Sequence, residues 1–184
     1  MRRRYDRDYD YTCPRTRPNW FMLFFIMVAI FFFNYFGKKL SESTSKIAYN
    51  FSFIRLGENT PLSLRDFRGS YLIIAFVITN CEPCVWQIKE LERLKTYSWL
   101  KILVVFLDPD TRSVEEYVRR EEIEMPVYTI LPSELNRVVS RYGIEKVPFI
   151  VITDKSLRIK RIYDEPVSSS ELKDVVKVIK RYGI

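Results

Sequence analysis

An unbroken run of eight apolar residues, 71–78, leads through Thr79 and Asn80 into the motif Cys81-Glu82-Pro83-Cys84. The run is rich in β-branched and aromatic residues, so it predicts a strand that is buried on both faces. After Cys81 the apolar residues are three positions apart, which indicates one face of a helix: Val85, Ile88, Leu91 and Leu94. The two cysteines are therefore predicted to lie at a strand-to-helix turn.

This position predicts a reactive thiol. Cys81 would lie at the helix N-terminus, where unpaired backbone N–H groups and the helix dipole favour a negative charge. A thiolate is stabilised there, so the pKa of the Cys81 thiol is expected to fall. Cys84, one turn further on, can attack a mixed disulfide formed at Cys81, and the pair is predicted to cycle between dithiol and disulfide.

Two other uses of such a pair remain open. A zinc site needs four nitrogen or sulfur ligands, whereas this chain has no His and only one further cysteine, Cys13. A purely structural disulfide would close a very short loop, and the loop-entropy model predicts little stabilisation from it. Redox exchange is therefore the favoured interpretation.

The first 36 residues differ in composition from the rest. Residues 1–19 hold six Arg and three Asp, whereas 20–36 contain no charged residue. A helix of seventeen residues at ~1.5 Å each spans about 25 Å, slightly less than a ~30 Å hydrocarbon core. Trp20 and Tyr35 flank this span, as amphipathic aromatics do at membrane interfaces. We predict a cytoplasmic tail, 1–19, and an uncleaved transmembrane signal-anchor, 20–36.

Basic residues set the predicted orientation. More Lys and Arg precede the span than follow it closely, so the positive-inside rule favours a cytoplasmic N-terminus in the cell membrane. The remaining chain would then lie outside the cytoplasm, where disulfide chemistry is normal. The formal net charge is +7, but beyond Gly37 basic and acidic residues alternate. That pattern favours a solvated surface over nucleic-acid binding.

Residues 37–49 are predicted to form a polar linker and residues 50–184 one α/β domain. Periodicity and turn residues predict an edge strand at 51–56, a buried strand at 101–108, a short strand at 127–131 and a hairpin of 149–153 with 157–163. Helices are predicted at 113–122, with a capping box Ser113…Glu116, and at 133–142, ending at Gly143. A final helix is predicted from the capping box Ser168…Glu171 and the apolar stripe that follows it: Leu172, Val175, Val176 and Ile179. Such alternation followed by a hairpin predicts a three-layer sandwich with a mixed sheet, whose working site lies at the carboxyl end of a central strand.

Several of these residues together resemble a known family. The segment Leu64-Arg-Asp-Phe-Arg-Gly69, the apolar strand, the CEPC motif, and Val147-Pro148 ahead of a strand are similar to the membrane-anchored thioredoxin-like proteins. These are the TlpA/ResA group of thiol–disulfide oxidoreductases, within the broader redoxin family. The resemblance covers about residues 50–180.

The resemblance implies specific roles. Cys81 would be the attacking thiol and Cys84 the resolving one. Pro148 would be a cis-proline facing the dithiol, and the backbone of Val147 would pair with a substrate chain as a short strand. Family members commonly reduce disulfides outside the cytoplasm, including those of apocytochrome c. The implied partners are protein thiol or disulfide substrates, a membrane thiol electron carrier and the bilayer, and no cofactor or metal is expected.

The chain departs from the family pattern at three positions. Asn80 replaces a usual Trp, Gln87 a usual acidic residue, and Phe149 a usual Thr, and these changes bear on cytochrome maturation and redox direction. Two alternative functions are a redoxin-type thiol peroxidase and a non-catalytic anchored binding module. Against the peroxidase, Ile74 and Ile78 occupy the positions of the Pro and Thr that a peroxidatic cysteine requires.

Overall fold

The structure, a computed structural model, describes Met27 and residues 46–182. The chain divides into two compact units, Met1–Ser41 and Glu42–Ile184. The predicted tail, 1–19, the signal-anchor, 20–36, and most of the linker, 37–49, lie outside the described residues. Within the described part of the chain, no helix has the length and apolar character that a membrane crossing requires.

Seven strands form one mixed sheet. The strands are β1 (Ser52–Arg55), β2 (Pro61–Ser63), β3 (Tyr71–Val77), β4 (Leu100–Phe106), β5 (Val127–Ile130), β6 (Phe149–Thr153) and β7 (Ile159–Tyr163). Their order across the sheet is β2-β1-β5-β4-β3-β6-β7. β4 pairs parallel with β3 and with β5, whereas β6 pairs antiparallel with β3. β3 therefore has a strand on each side, and its residues 72–77 are all buried, so the prediction of a strand buried on both faces is confirmed.

Within residues 46–182, four α-helices cover the two faces of the sheet. They are α1 (Glu82–Glu92), α2 (Thr111–Arg120), α3 (Pro132–Tyr142) and α4 (Ser169–Tyr182), and a 3₁₀ turn spans Leu64–Phe67. Buried side chains of α1, α2 and α4 pack with Ile73, Ala75 and Val77 on one face of β3. Buried side chains of α3 pack with Leu72, Ile74 and Phe76 on the other face. The predicted thioredoxin-like α/β fold with a mixed sheet between helices is confirmed.

The prediction that the strand at 51–56 lies at an edge is wrong. β1 pairs with β2 on one side and with β5 on the other. The edge position belongs to β2, which begins at Pro61. Proline has no N–H to donate to a neighbouring strand, so an edge is where it fits.

The predicted cap of the helix at 113–122 is also wrong. The helix begins at Thr111, and the side chain of Asp110 caps it by accepting the Arg112 N–H at 3.1 Å. The Ser113 hydroxyl donates to Asp110 Oδ2 at 2.6 Å. This hydrogen bond is the main reason that the pKa of the Asp110 carboxyl lies below its usual value. The negative charge of Asp110 is also favourable at the positive end of the helix dipole.

Gly143 ends α3 as predicted. It has the left-handed conformation, with φ of 69°, and its N–H reaches the Val139 carbonyl. At the start of α4, Ser168 Oγ accepts the Glu171 N–H at 3.3 Å, which is one of the two hydrogen bonds of the predicted capping box. Chain N-terminal to residue 50 also joins the domain, because Ala48 is buried and its N–H donates to Leu157 O at 2.8 Å.

Candidate active site

The two cysteines lie where the sequence predicted, at the turn between β3 and α1. Cys81 is the N-cap of α1, and its Sγ accepts the Cys84 N–H at 3.2 Å. The two sulfurs form a disulfide of 2.08 Å, with the Cα atoms 5.2 Å apart. The extended strand ends before Thr79, and Asn80, with φ of 55°, turns the chain into the helix.

The two sulfurs differ in access. Cys84, in the first turn of α1, is fully buried in the core, whereas Cys81 is only partly buried and Glu82 beside it is exposed. A partner arriving from solvent can therefore reach Cys81 but not Cys84. This supports the predicted roles of attacking and resolving thiol, which remain predictions.

A carboxylate from the neighbouring strand fixes the turn. Asp108 follows β4 and accepts two hydrogen bonds from Thr79, from its N–H at 2.9 Å and from its hydroxyl at 2.8 Å. Thr79 is two residues before Cys81, so these bonds set where the backbone leaves the sheet. The sequence placed Asp108 at a strand end but did not show what it binds.

Two residues of helix α2 also form hydrogen bonds with the cysteine turn. The Tyr117 hydroxyl donates to the Cys81 carbonyl at 3.4 Å, and Arg120 Nη2 donates to Asn80 Oδ1 at 3.3 Å. The Arg120 guanidinium also lies 5.1 Å from the centre of the Tyr117 ring. Burial raises the pKa of Tyr117 above its ordinary value, so this phenol keeps its proton and remains a donor.

Gln87, where the family often has an acid, is a structural contact. Its side chain is fully buried and makes two hydrogen bonds with the backbone of Val167, 80 residues later. Gln87 Nε2 donates to Val167 O at 3.1 Å, and Gln87 Oε1 accepts the Val167 N–H at 2.7 Å. The amide thus ties the first turns of α1 to the loop before α4. An ionised carboxylate could accept one of these bonds but could not donate the other.

Glu90 performs a related task one turn further along α1. Glu90 Oε2 accepts the Ser169 N–H at 2.7 Å, so it caps α4, and Glu90 Oε1 pairs with Arg93 at 2.6 Å. The Ser169 N–H, ahead of the Arg93 charge, lowers the pKa of the Glu90 carboxyl. Neither contact could be predicted from the sequence, because the partner residues, Val167 and Ser169, lie 80 and 79 residues away along the chain.

Val147 and Pro148 lie at the same edge of the sheet as the end of β3. Phe149 of β6 pairs with Phe76 of β3, so Pro148 precedes β6 beside the point where β3 gives way to the cysteine turn. The Val147–Pro148 bond is cis, as predicted. Pro148 is buried and Val147 is partly exposed. Their roles in binding substrate remain predictions.

Comparison with known proteins agrees with this geometry. No family model matches the chain. The thiol-disulfide oxidoreductase ResA of Geobacillus thermodenitrificans is 25% identical over 150 residues, which cover 80% of this chain and 84% of that protein.

Solved structures show the same fold. A thiol:disulfide interchange protein from Bacteroides sp. superimposes with a TM-score of 0.64 at 22% identity, over 76% of this chain and 93% of that one. The thioredoxin domain of a thiol-disulfide oxidoreductase from Bacteroides vulgatus gives a TM-score of 0.63 at 20% identity, over 74% of this chain and 97% of that one. These structures confirm the thioredoxin-like fold, and the ResA relative confirms the predicted resemblance and enzyme class, a thiol–disulfide oxidoreductase.

Proposed function

We propose that this thioredoxin-like thiol–disulfide oxidoreductase is anchored in the cell membrane by residues 20–36 and reduces disulfides of proteins outside the cytoplasm. The arginine-rich residues 1–19 support a cytoplasmic N-terminus. The observation that carries the catalytic proposal is the disulfide itself, which joins a partly exposed Cys81 at a helix N-terminus to a buried Cys84.

The reduced protein would act in two exchange steps. The Cys81 thiolate attacks one sulfur of a substrate disulfide, a Cys81–substrate disulfide forms, and the first substrate thiolate leaves and takes up a proton. Cys84 then loses its proton and attacks Cys81 Sγ, and the second substrate thiolate leaves and takes up a proton. The substrate has gained two electrons and two protons, and the enzyme is left with the Cys81–Cys84 disulfide.

The helix N-terminus assists the first step and the later re-reduction of the enzyme. Backbone N–H groups at the start of α1 stabilise charge on Cys81 when it is the attacking thiolate, and again when an electron donor releases it as a thiolate. The contacts of Thr79 and Asn80 keep the turn in place while the sulfurs exchange partners. Cys84, three residues away on the first turn of the helix, needs no large movement to reach Cys81.

The cycle requires a source of electrons. We propose a membrane thiol carrier as the donor, which would reduce the enzyme disulfide by the same two steps in reverse. Apocytochrome c, whose haem-binding cysteines must be reduced, is the substrate that the family resemblance suggests first. The bilayer is the remaining proposed partner.

Cysteine variants of the full chain test this function. We expect Cys81→Ala to abolish reduction of a protein disulfide and Cys84→Ala to accumulate a mixed disulfide with substrate, visible on non-reducing gels. Cys13→Ala is the matched control, since Cys13 lies outside the domain, and it should retain activity. Equal loss in both dithiol variants with no trapped species would contradict the roles, and full activity of Cys81→Ala would indicate a non-catalytic binding module.

The redox direction needs a second measurement. Equilibration of the protein with glutathione or dithiothreitol buffers gives the reduction potential of the Cys81–Cys84 couple. A potential near or below about −250 mV, in the thioredoxin range, would support a reductase. A potential near about −120 mV would instead indicate an oxidant that installs disulfides.

A further inference from the structure

We propose that a surface pocket beside Val147–Pro148 binds a lysine or arginine side chain of the substrate polypeptide. The pocket has a volume of about 320 Å³. Its lining combines apolar and acidic residues: Tyr142, Gly143, Glu145, Phe149, Ile162 and Asp164. The inference rests on the proposed function, because it names the kind of substrate that the dithiol would act on.

The pocket lies at the edge of the sheet that faces the cysteine turn. Ile150 pairs with Tyr163, so Phe149 and Asp164 continue β6 and β7 toward the same edge. Phe149 also pairs with Phe76, close to the end of β3. Adjacent strands are about 4.8 Å apart, so β7 lies roughly 10 Å from β3. A substrate chain joined to Cys81 covers that distance in about three extended residues.

The floor and the mouth of the pocket suit a long side chain with a cationic end. Tyr142 and Phe149 are buried and form an aromatic floor, whereas Glu145 and Asp164 are exposed at the mouth. The methylene groups of lysine or arginine pack on such a surface while the charged end stays in water. The volume is at the small end of the ~300–1,000 Å³ range of ligand pockets, which suits one side chain.

The two carboxylates are available for a cation. Within residues 46–182, neither Glu145 nor Asp164 takes part in an ion pair. Lys146 is exposed next to Glu145 but is not among the lining residues. Residues 46–182 hold 22 Lys and Arg against 19 Asp and Glu, a formal charge of +3, so the overall field of the domain does not attract a cationic peptide. A preference for such peptides must therefore come from a local acidic site.

Matched peptide disulfides test this pocket in the full-length reduced enzyme. The peptides differ only at the two positions that lie three residues from the attacked cysteine, which carry Lys, norleucine or Glu. We expect kcat/KM to be about fivefold higher for the Lys peptide than for the norleucine peptide at low salt. The ratio should fall toward one at high salt, because exposed charges are screened.

Charge variants test whether Glu145 and Asp164 cause the preference for the Lys peptide. Glu145→Gln/Asp164→Asn should abolish the Lys-over-norleucine ratio, and Glu145→Lys/Asp164→Lys should favour the Glu peptide. The control is Glu115→Gln/Glu116→Gln, which makes the same charge change on exposed positions of α2 and should keep the wild-type ratio. A ratio of one in the wild type, or an unchanged ratio in the pocket variant, would overturn the proposal.

A binding experiment distinguishes a failure of the pocket proposal from a failure of the proposed enzymatic function. The same peptides with Ser in place of Cys are titrated into the disulfide form, and backbone amide shifts are followed by NMR. Lys-dependent shifts clustered at Gly143, Glu145 and Asp164 support the pocket even if no peptide is reduced. Active exchange without such clustered shifts would refute the pocket and leave the proposed function standing.

Discussion

Replacing Gln87 by methionine should destabilise the protein strongly although the side chain keeps nearly the same size. The change removes the two hydrogen bonds to Val167, a residue that is itself buried. An unsatisfied buried backbone group costs about 1–3 kcal/mol. Losing partners for one N–H and one C=O is therefore expected to lower the free energy of unfolding by about 2–5 kcal/mol.

Urea unfolding of the oxidised protein measures this loss. With an m-value of about 2 kcal/mol/M, the midpoint should fall by roughly 1–2.5 M. The m-value itself should not change, because the fold is retained. A midpoint within about 0.3 M of the wild type would refute the account of Gln87 as the link between α1 and the loop before α4.

Gln87→Glu provides the matched comparison and a pH dependence. A protonated glutamic acid can accept from the Val167 N–H and donate to its carbonyl, whereas the ionised form can only accept. Burial raises the pKa of the folded-state carboxyl above its unfolded value of about 4.3. The variant should therefore be near wild type at pH 4 and lose stability as the pH rises from there to the folded-state pKa. A constant difference from wild type between pH 4 and pH 8 would contradict this reasoning.

Three further changes test other contacts. A backbone N–H of α4 lowers the pKa of the Glu90 carboxyl in the folded state. The ionised Glu90 therefore stabilises the fold fully above about pH 4.3, and this stabilisation is lost as the pH falls through the folded-state pKa. Glu90→Gln should cost more stability at pH 7 than at pH 3 in urea titrations. Asp108→Ala removes both hydrogen bonds to Thr79 and should lower the free energy of unfolding by about 2 kcal/mol, seen as a lower urea midpoint. Tyr142→Phe removes the 2.9 Å bond to the Tyr49 carbonyl and should cost about 1 kcal/mol in the same assay.

The element order and the dithiol could be predicted from local sequence. An eight-residue apolar run shows a doubly buried strand, and three-residue apolar spacing after Cys81 shows a helix, so the cysteines had to lie at the turn. The position of Gly143 followed equally well, because the left-handed conformation that ends α3 is one glycine adopts easily. These features depend on residues within one or two turns of one another.

Competition between neighbouring residues explains the misplaced cap. Ser113 and Glu116 match a capping box, but Asp110 lies three residues earlier and its carboxylate caps the helix.

The edge strand was misassigned because alternation along one strand contains no information about its neighbours. The alternation of 51–56 shows one buried face, but it says nothing about how many neighbours the strand has, and that depends on where β5 docks.

The chain's own pattern determined which residues carry the chemistry, because a reactive pair at a helix N-terminus is a local arrangement of Cys81 and Cys84. The tertiary fold decided what holds that pair in place. Thr79 is fixed by Asp108, 29 residues away, and Gln87 by Val167, 80 residues away. The sequence shows which side chains can form hydrogen bonds. It does not show their partners, because those depend on which distant backbone groups the packing of the fold brings beside them.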